Sequence, residues 1–383
     1  MNKPVYLDYN ATTPHVPEVI EAMRPYLEEH FGNPSSTYSY GRKTRNAIEA
    51  ARWQVTSLLG CKAEEIIFTS GGTESNNNAI RGIASALRGR GNHIITTQVE
   101  HPAVTQVCRY LEGFGFETTY LPVDGYGLVD ASDVEKAITL KTILITVMHA
   151  NNEVGTIQPI EEISKIARSR GIVLHTDAAQ SAGKIPVDTG LLGADLISIA
   201  GHKLYAPKGV GALYIRRGLE LGKLMHGAGQ EGGRRAGTEN VLEIVGLGKA
   251  CEIAAHNLQE NMHSMRETRD RLHRGLVERL NDVVLNGHPE RRLPNTLNVT
   301  LPGGNAHALL AAIQDHVAAS AGAACHSGEV RISPVLKAMN VPEEWARGAV
   351  RLTTGRMTTF EEVDEAITVI SEAVKRLKSK ARQ

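Results

Sequence analysis

Short apolar runs punctuate the chain at 66–68, 93–96, 142–147, 172–175 and 196–199. Each is too short for a helix and rich in Ile, Leu or Val, so each predicts a buried strand. Helical or irregular stretches separate them. Ile160, Ile163, Ile166 and Ala167, closed by Gly171, mark one amphipathic helix. A run at 211–215 predicts a further strand entered from a tight turn. Strands alternating with helices argue for an α/β domain with a mostly parallel, buried sheet.

The flanks follow other patterns. No helix is expected before Pro17; the first one starts there and runs through Ile20 and Met23. Ala47, Ile48, Ala51, Val55 and Leu58 predict a helix over 41–59. Residues 244–280 hold a period near 3.5–3.6 and predict one long helix, roughly 50 Å at 1.5 Å per residue. A strand is expected over 293–301 and a helix at Leu309, Leu310 and Ile313. The last helix opens on the capping box Thr359-x-x-Glu362. Residues 244–383, joined by the N-terminal segment, therefore read as a smaller α/β unit. There is no internal repeat and no low-complexity tract.

In a parallel sheet the ligand sits at the carboxyl ends of the strands. Five consecutive strand ends carry polar chemistry. After the first comes Thr-Ser-Gly-Gly-Thr-Glu-Ser-Asn-Asn (69–77), where paired glycines and the hydroxyls of Thr73 and Ser75 open a helix. Such an N-terminus is a ready phosphate site, although a simple glycine turn would look similar. After the second comes His101, which can stack on a flat ring or move protons. After the third stand the adjacent amides Asn151 and Asn152. After the fourth stands Asp177, a carboxylate whose burial is costly without a partner such as a protonated ring nitrogen. After the fifth come His202 and Lys203. A lysine just past a buried strand is desolvated, its pKa falls, and the free amine can attack an aldehyde. Phosphate site, ring contact, ring-nitrogen partner and amine describe one ligand, pyridoxal phosphate.

Length and composition narrow the class. A chain of 383 residues exceeds the usual single-core domain, so two domains are expected. The 42 basic and 42 acidic residues cancel, which argues against nucleic-acid or anionic-membrane partners. No apolar run approaches the roughly 20 residues of a membrane span, and the first residues lack a signal-peptide core. Cys61, Cys108, Cys251 and Cys325 are widely spaced, which fits a reducing, cytoplasmic setting and no metal pair. Cys325 lies in Gly-Ala-Ala-Cys-His-Ser-Gly (322–328), where small neighbours and the lack of an apolar period predict an accessible, reactive thiol.

The chain resembles the NifS/IscS-type cysteine desulfurases of the class-V aminotransferase superfamily. The motifs are Tyr-Leu-Asp-Tyr-Asn-Ala-Thr-Thr-Pro (6–14), Phe-Gly-Asn-Pro-Ser-Ser (31–36), the 69–77 stretch, Val-Glu-His (99–101), Ala-Asn-Asn-Glu-Val-Gly (150–155) and His-Thr-Asp-Ala-Ala-Gln (175–180). Gly-His-Lys (201–203), Arg-Arg-Ala-Gly-Thr-Glu-Asn (234–240), the 322–328 loop and Ala-Val-Arg-Leu-Thr-Thr-Gly-Arg (349–356) complete them, covering nearly the whole chain.

The resemblance implies pyridoxal-phosphate fold type I. A large α/β domain over 15–255 would hold a mostly parallel seven-stranded sheet. A smaller C-terminal α/β domain, from 1–14 and 256–383, would carry the cysteine loop. It implies L-cysteine as substrate, with alanine and a Cys325 persulfide as products. The sulfur would pass to an iron–sulfur scaffold or another acceptor protein. Lys203 would hold the cofactor and move the Cα proton, and His101 would stack on the ring. Asp177 would pair with the ring nitrogen and Gln180 with the phenolic oxygen. Gly72, Thr73, Ala200 and His202 would surround the phosphate, with Thr238 reaching it from a second subunit of a homodimer. Asn33, Asn152 and Arg351 would take the substrate, Asn152 also touching the cofactor. No resident metal is implied, though Cys325 could transiently ligate an iron–sulfur cluster. Ala200 stands where many desulfurases place a phosphate-binding serine. Selenocysteine lyases carry an apolar residue there and share Cys-His-Ser, so selenocysteine lyase is the alternative activity. A class-V aminotransferase is a further one.

Overall fold

The computed structural model describes residues 3–301, 304–321 and 332–380. A two-residue strand, β1 (Val5–Tyr6), leads into extended chain and then two helices, α1 (Pro17–Glu28) and α2 (Ser39–Leu59). Proline at the first position of α1 lacks only an N–H that would have no helical partner. Strand and helix then alternate: β2 (Ile66–Thr69), α3 (Gly72–Ala86), β3 (His93–Thr97), α4 (Pro102–Glu112), β4 (Glu117–Leu121), α5 (Ala131–Ala137), β5 (Thr142–Thr146), α6 (Ile160–Ser169), β6 (Val173–Asp177), α7 (Thr189–Leu192), β7 (Leu196–Ala200) and β8 (Gly211–Ile215).

Strands β2 to β8 form one seven-stranded sheet in the order β2-β8-β7-β6-β5-β3-β4. Every pairing is parallel except those of β8, which runs antiparallel to both β2 and β7. Helices cover both faces. Ile66, Phe68, Ile145, Leu174 and Ile197 share a core with α2 and α6, whereas Ile67, Ile94, Leu144, Val173 and Leu196 pack toward α3 and α4. Adjacent residues point to opposite faces of a sheet, so a strand covered on both sides must be apolar throughout.

Two buried polar rungs cross this sheet. His175 bonds Thr146 Oγ1 at 2.7 Å and Ser198 Oγ at 2.9 Å, joining β5, β6 and β7. His93 bonds Thr142 Oγ1 at 2.7 Å and Thr119 Oγ1 at 2.9 Å, joining β5, β3 and β4.

The expected long helix over 244–280 is two helices, α8 (Val241–His256) and α9 (Leu258–Arg279). Asn257, with φ −108° and ψ 15°, leaves the helical region for one residue. The break separates two packing duties: Ile244, Leu247 and Ala250 join the first core, Leu272 and Leu276 the second. Strand β4 was not foreseen either. As an edge strand reading Glu-Thr-Thr-Tyr-Leu it has no continuous apolar run.

The remaining elements are β9 (Val284–Asn286), β10 (Thr296–Thr300), α10 (Ala306–Ile313), β11 (Val317–Ala318), α11 (Pro334–Ala338), α12 (Glu343–Ala346), β12 (Ala349–Thr353) and α13 (Phe360–Lys380). Strands β12, β10 and β9 make an antiparallel sheet, and β1 pairs in parallel with β11. Their core gathers Val5, Leu7, Leu272, Leu297, Val299, Leu352, Ile367 and Ile370. The N-terminal strand thus belongs with the C-terminal elements. The capping box forms as expected: Thr359 N–H donates to Glu362 Oε2 at 2.9 Å and Glu362 N–H to Thr359 Oγ1 at 3.2 Å. Among the described residues, no helix is long and apolar enough to cross a membrane.

Candidate active site

A cavity of about 440 Å³ opens at the carboxyl ends of the parallel strands. Gly72, Thr73, His101, Asn152, Asp177, Gln180, Ala200, His202, Lys203 and Arg351 all line it. Ten of the expected site residues are therefore brought together, nine from the ends of β2, β3, β5, β6 and β7 and Arg351 from within β12. Asn33 and Thr238 do not line it; both are exposed, and Asn33 Oδ1 accepts from Ser35 N–H at 2.9 Å. Cys325 lies outside the described residues.

The turn from β2 into α3 makes one end of the cavity. Gly71 has φ +143°, a conformation that side chains disfavour, and a Cβ on Gly211 would stand 2.7 Å from Gly71 Cα. Gly72 and Thr73 follow as the first residues of α3, a fifteen-residue helix, where N–H groups have no helical partner. The Ser75 hydroxyl, by contrast, is buried and donates to Ala212 O at 3.1 Å, away from the cavity. His202 lies beside this end, its Nδ1 3.3 Å from Thr12 Oγ1; burial and the nearby lysines push it down to about 4, so the ring is neutral.

Asp177 ends β6. Its Oδ2 accepts from Asn76 Nδ2 at 2.6 Å and its Oδ1 from Ala179 N–H at 2.9 Å. It makes no ion pair among the described residues, so a buried carboxylate faces the cavity with only neutral donors. Asn76 Oδ1 is buried without a hydrogen-bond partner among the described residues. His101 Nδ1 accepts from Ala103 N–H at 3.1 Å as the cap of α4, which places its proton on Nε2. Burial lowers its pKa further.

Lys203 stands in a single 3-10 turn after β7. Its Nζ donates to the carbonyls of Asn10 at 2.5 Å and Ala11 at 2.7 Å. Burial, reinforced by the Arg351 charge, pushes this amine down to about 8. Arg351, from β12, donates to Asp8 Oδ1 at 2.8 Å and Asn152 O at 3.0 Å. Its Nε is buried and has no hydrogen-bond partner among the described residues. The guanidinium is thus held in place with a donor to spare.

Several residues here carry no sequence signal of their own. Asn10 bridges the extended N-terminal segment to the cavity: its carbonyl accepts from Lys203 and from Gln180 Nε2 at 2.9 Å. Lys184 is buried behind Gln180. Glu100 is buried too, its carboxylate accepting from Met148 N–H at 2.9 Å and Thr97 Oγ1 at 2.7 Å; burial pushes it up to about 8. The Tyr6–Pro14 stretch, polar and without period, was the available hint for Asn10.

The residues present fit pyridoxal phosphate. The α3 amides suit a phosphate, unpaired Asp177 suits a ring N–H, and Lys203 offers an amine of reduced basicity.

Comparison with known proteins agrees. Residues 5–366 match the family model described as aminotransferase class-V. The chain is 50% identical over 380 residues to a cysteine desulfurase IscS of Dictyoglomus turgidum, covering 99% of this chain and 96% of the relative. It is 50% identical over 379 residues to one of Methanosarcina thermophila, covering 99% and 94%. Among solved structures, a NifS-like protein superposes with TM-score 0.92 at 37% identity, covering 98% of this chain and 100% of that one. SspA in complex with cysteine superposes at 0.83, also at 37% identity, covering 94% and 100%.

Proposed function

The chain belongs to the class-V aminotransferase family and to its cysteine desulfurases, and from that premise we propose how its residues remove sulfur from L-cysteine. The enzyme depends on pyridoxal phosphate, which when bound supplies an electron sink that makes the substrate's Cα–H acidic. The first amides of α3, with Thr73 and His202, hold the phosphate beside Ala200. Asp177 holds the ring N–H, kept in place by Asn76. Gln180 donates to the phenolic oxygen and His101 covers the ring. Lys203 Nζ would hold the cofactor at its aldehyde carbon and, as the free amine, would take the substrate's Cα proton. Arg351, clamped by Asp8, and Asn152 receive the substrate carboxylate; the free Nε of Arg351 is the donor in reserve. Asn33 and Thr238 serve the site of a second copy in a homodimer, in keeping with their exposure here.

The thiolate of Cys325 attacks the substrate sulfur. The Cα–Cβ fragment leaves as alanine after protonation, and the sulfur stays on Cys325 as a persulfide. The described cysteines are poor rivals: burial pushes Cys61 and Cys108 up to about 12 and Cys251 higher still. The persulfide then passes to an iron–sulfur scaffold or another thiolation partner.

One observation carries this reading: a lysine at about 8, an unpaired aspartate and an open helix N-terminus share one cavity. The test follows the visible spectrum of the purified protein on adding L-cysteine, with alanine and sulfide assayed together. Wild type should be coloured, change colour with L-cysteine and release alanine. Cys325→Ala should keep the colour and lose desulfuration; full activity in that variant would sink the covalent step. A Lys203→Ala variant with unchanged absorption would refute the lysine assignment. Running selenocysteine beside cysteine separates the lyase alternative.

A further inference from the structure

Lys184 lies in the turn that follows β6, one helical turn beyond Gln180, and is only 4% exposed. Its Nζ donates to Gln180 Oε1 and to Asn10 Oδ1, both at 3.0 Å. An ammonium carries three donors and favours a counter-charge. Among the described residues the acceptors are two, and both are neutral. The charged groups that act on it are cations, Lys203 after β7 and Arg351 on β12, and the carboxylate that pairs with Arg351 belongs to Asp8. A neutral amine has two N–H groups, which matches the two acceptors. Desolvation drives the group the same way, well below the ordinary lysine value.

The Gln180 amide is thereby fixed from both ends. Its Nε2 donates to Asn10 O at 2.9 Å, and its Oε1 accepts from Lys184. The amide cannot flip without setting oxygen against oxygen and nitrogen against a donor. Its second Nε2 hydrogen remains for the cavity. The Asn10 side chain is fixed by the same amine, and the Asn10 backbone also holds Lys203.

We infer that Lys184 is a positioning residue for this site, an uncharged amine that orients the Gln180 amide and the Asn10 side chain from behind the cavity. It touches neither cofactor nor substrate. The inference rests on the reading that Gln180 faces pyridoxal phosphate in this cavity.

Two variants and one measurement on the unaltered protein test it. Lys184→Met keeps the length and removes the donors. It should bind pyridoxal phosphate about five- to tenfold more weakly, the size of one hydrogen bond to a neutral group. The pH midpoint of the bound cofactor's absorbance change should rise by about half a unit, because a loosened Gln180 donor stabilises the ring's negative oxygen less. Lys184→Arg places a permanent charge where no counter-ion stands, so its apoprotein should melt below that of Lys184→Met. In wild type, 15N-lysine NMR should show one amine, absent from Lys184→Met, that is uncharged at pH 8. The inference is overturned by a Met variant with wild-type affinity and midpoint. It is equally overturned by an Arg variant that matches wild type, or by an ammonium signal for Lys184 at pH 8. Failure of wild type to take up pyridoxal phosphate would instead defeat the proposed function. The NMR signal and the melting order of the apoproteins would still decide the charge of Lys184.

Discussion

Asn10 has a partner for each of its polar groups. Its N–H donates to Thr353 Oγ1 at 3.1 Å, and its side chain donates to Asn152 O and Thr296 Oγ1 while accepting from Lys184 and Asn295. Lys203 is held against this frame, buried and near Arg351, and its pKa of about 8 has a kinetic consequence. Only the unprotonated amine reacts with an aldehyde. Uptake of pyridoxal phosphate by apoprotein should therefore speed up about tenfold per unit as pH rises toward 8, then level off. Stopped-flow absorbance across pH 6–9 checks this, and a flat profile would contradict a rate-limiting Lys203. Lys203 and Asp177 were legible in the sequence because each is a costly charge directly after a buried run. Asn10 and Lys184 were not, because their meaning lies largely in contacts 142 to 343 residues away along the chain. Thr238 came from motif resemblance alone and Asn33 also from its polar, turn-rich stretch; neither lines the cavity.

The strands themselves were readable, since burial on both faces writes a continuous apolar run. The polar rungs inside them were less so. His175 is fully buried between two neutral hydroxyls, and burial pushes its pKa down to about 3. An unfolded histidine titrates near 6.5, so below that pH the unfolded chain binds a proton that the fold refuses. His175 accordingly costs stability as pH falls from about 6.5 toward 3, while Glu100, raised to about 8, works in the opposite sense. A His175→Phe variant isolates the first effect. At pH 7 it should lose about 1–3 kcal/mol, because the buried Thr146 and Ser198 hydroxyls lose a partner. The gap to wild type should close between pH 6.5 and 4. Urea unfolding at both pH values measures it, and a constant gap would mean that His175 is protonated in the fold. The helix break at Asn257 escaped notice for a related reason: the apolar period continues across it, although the two halves face different cores.

At the scale of the molecule, two hydrophobic cores share one cavity. The large sheet contributes His101, Asp177 and Lys203, while Asp8, Asn10, Ser320 and Arg351 reach in from the β1, β11 and β12 side. Leu272 is fully buried in the second core and does not line the cavity. Leu272→Ala should cost about 2–5 kcal/mol through the space it leaves. It should also release the cofactor at lower urea than wild type, because Asn10 and Arg351 lose their support. Persistence of the visible band to the wild-type urea concentration would show that the two cores are not coupled through the site.

The position of Asn10 also bears on how the protein is made. The residue leaves the ribosome well before Thr353, whose hydroxyl accepts from its N–H and stands 343 positions later. At about 5–20 residues per second, synthesis separates the two by roughly 20–70 s. Within that interval the large sheet can assemble, and Lys203 can emerge, while the carbonyls that will hold its amine still hang on an undocked segment. The catalytic cavity is therefore closed by a segment made before the large sheet, and only after β12 has arrived.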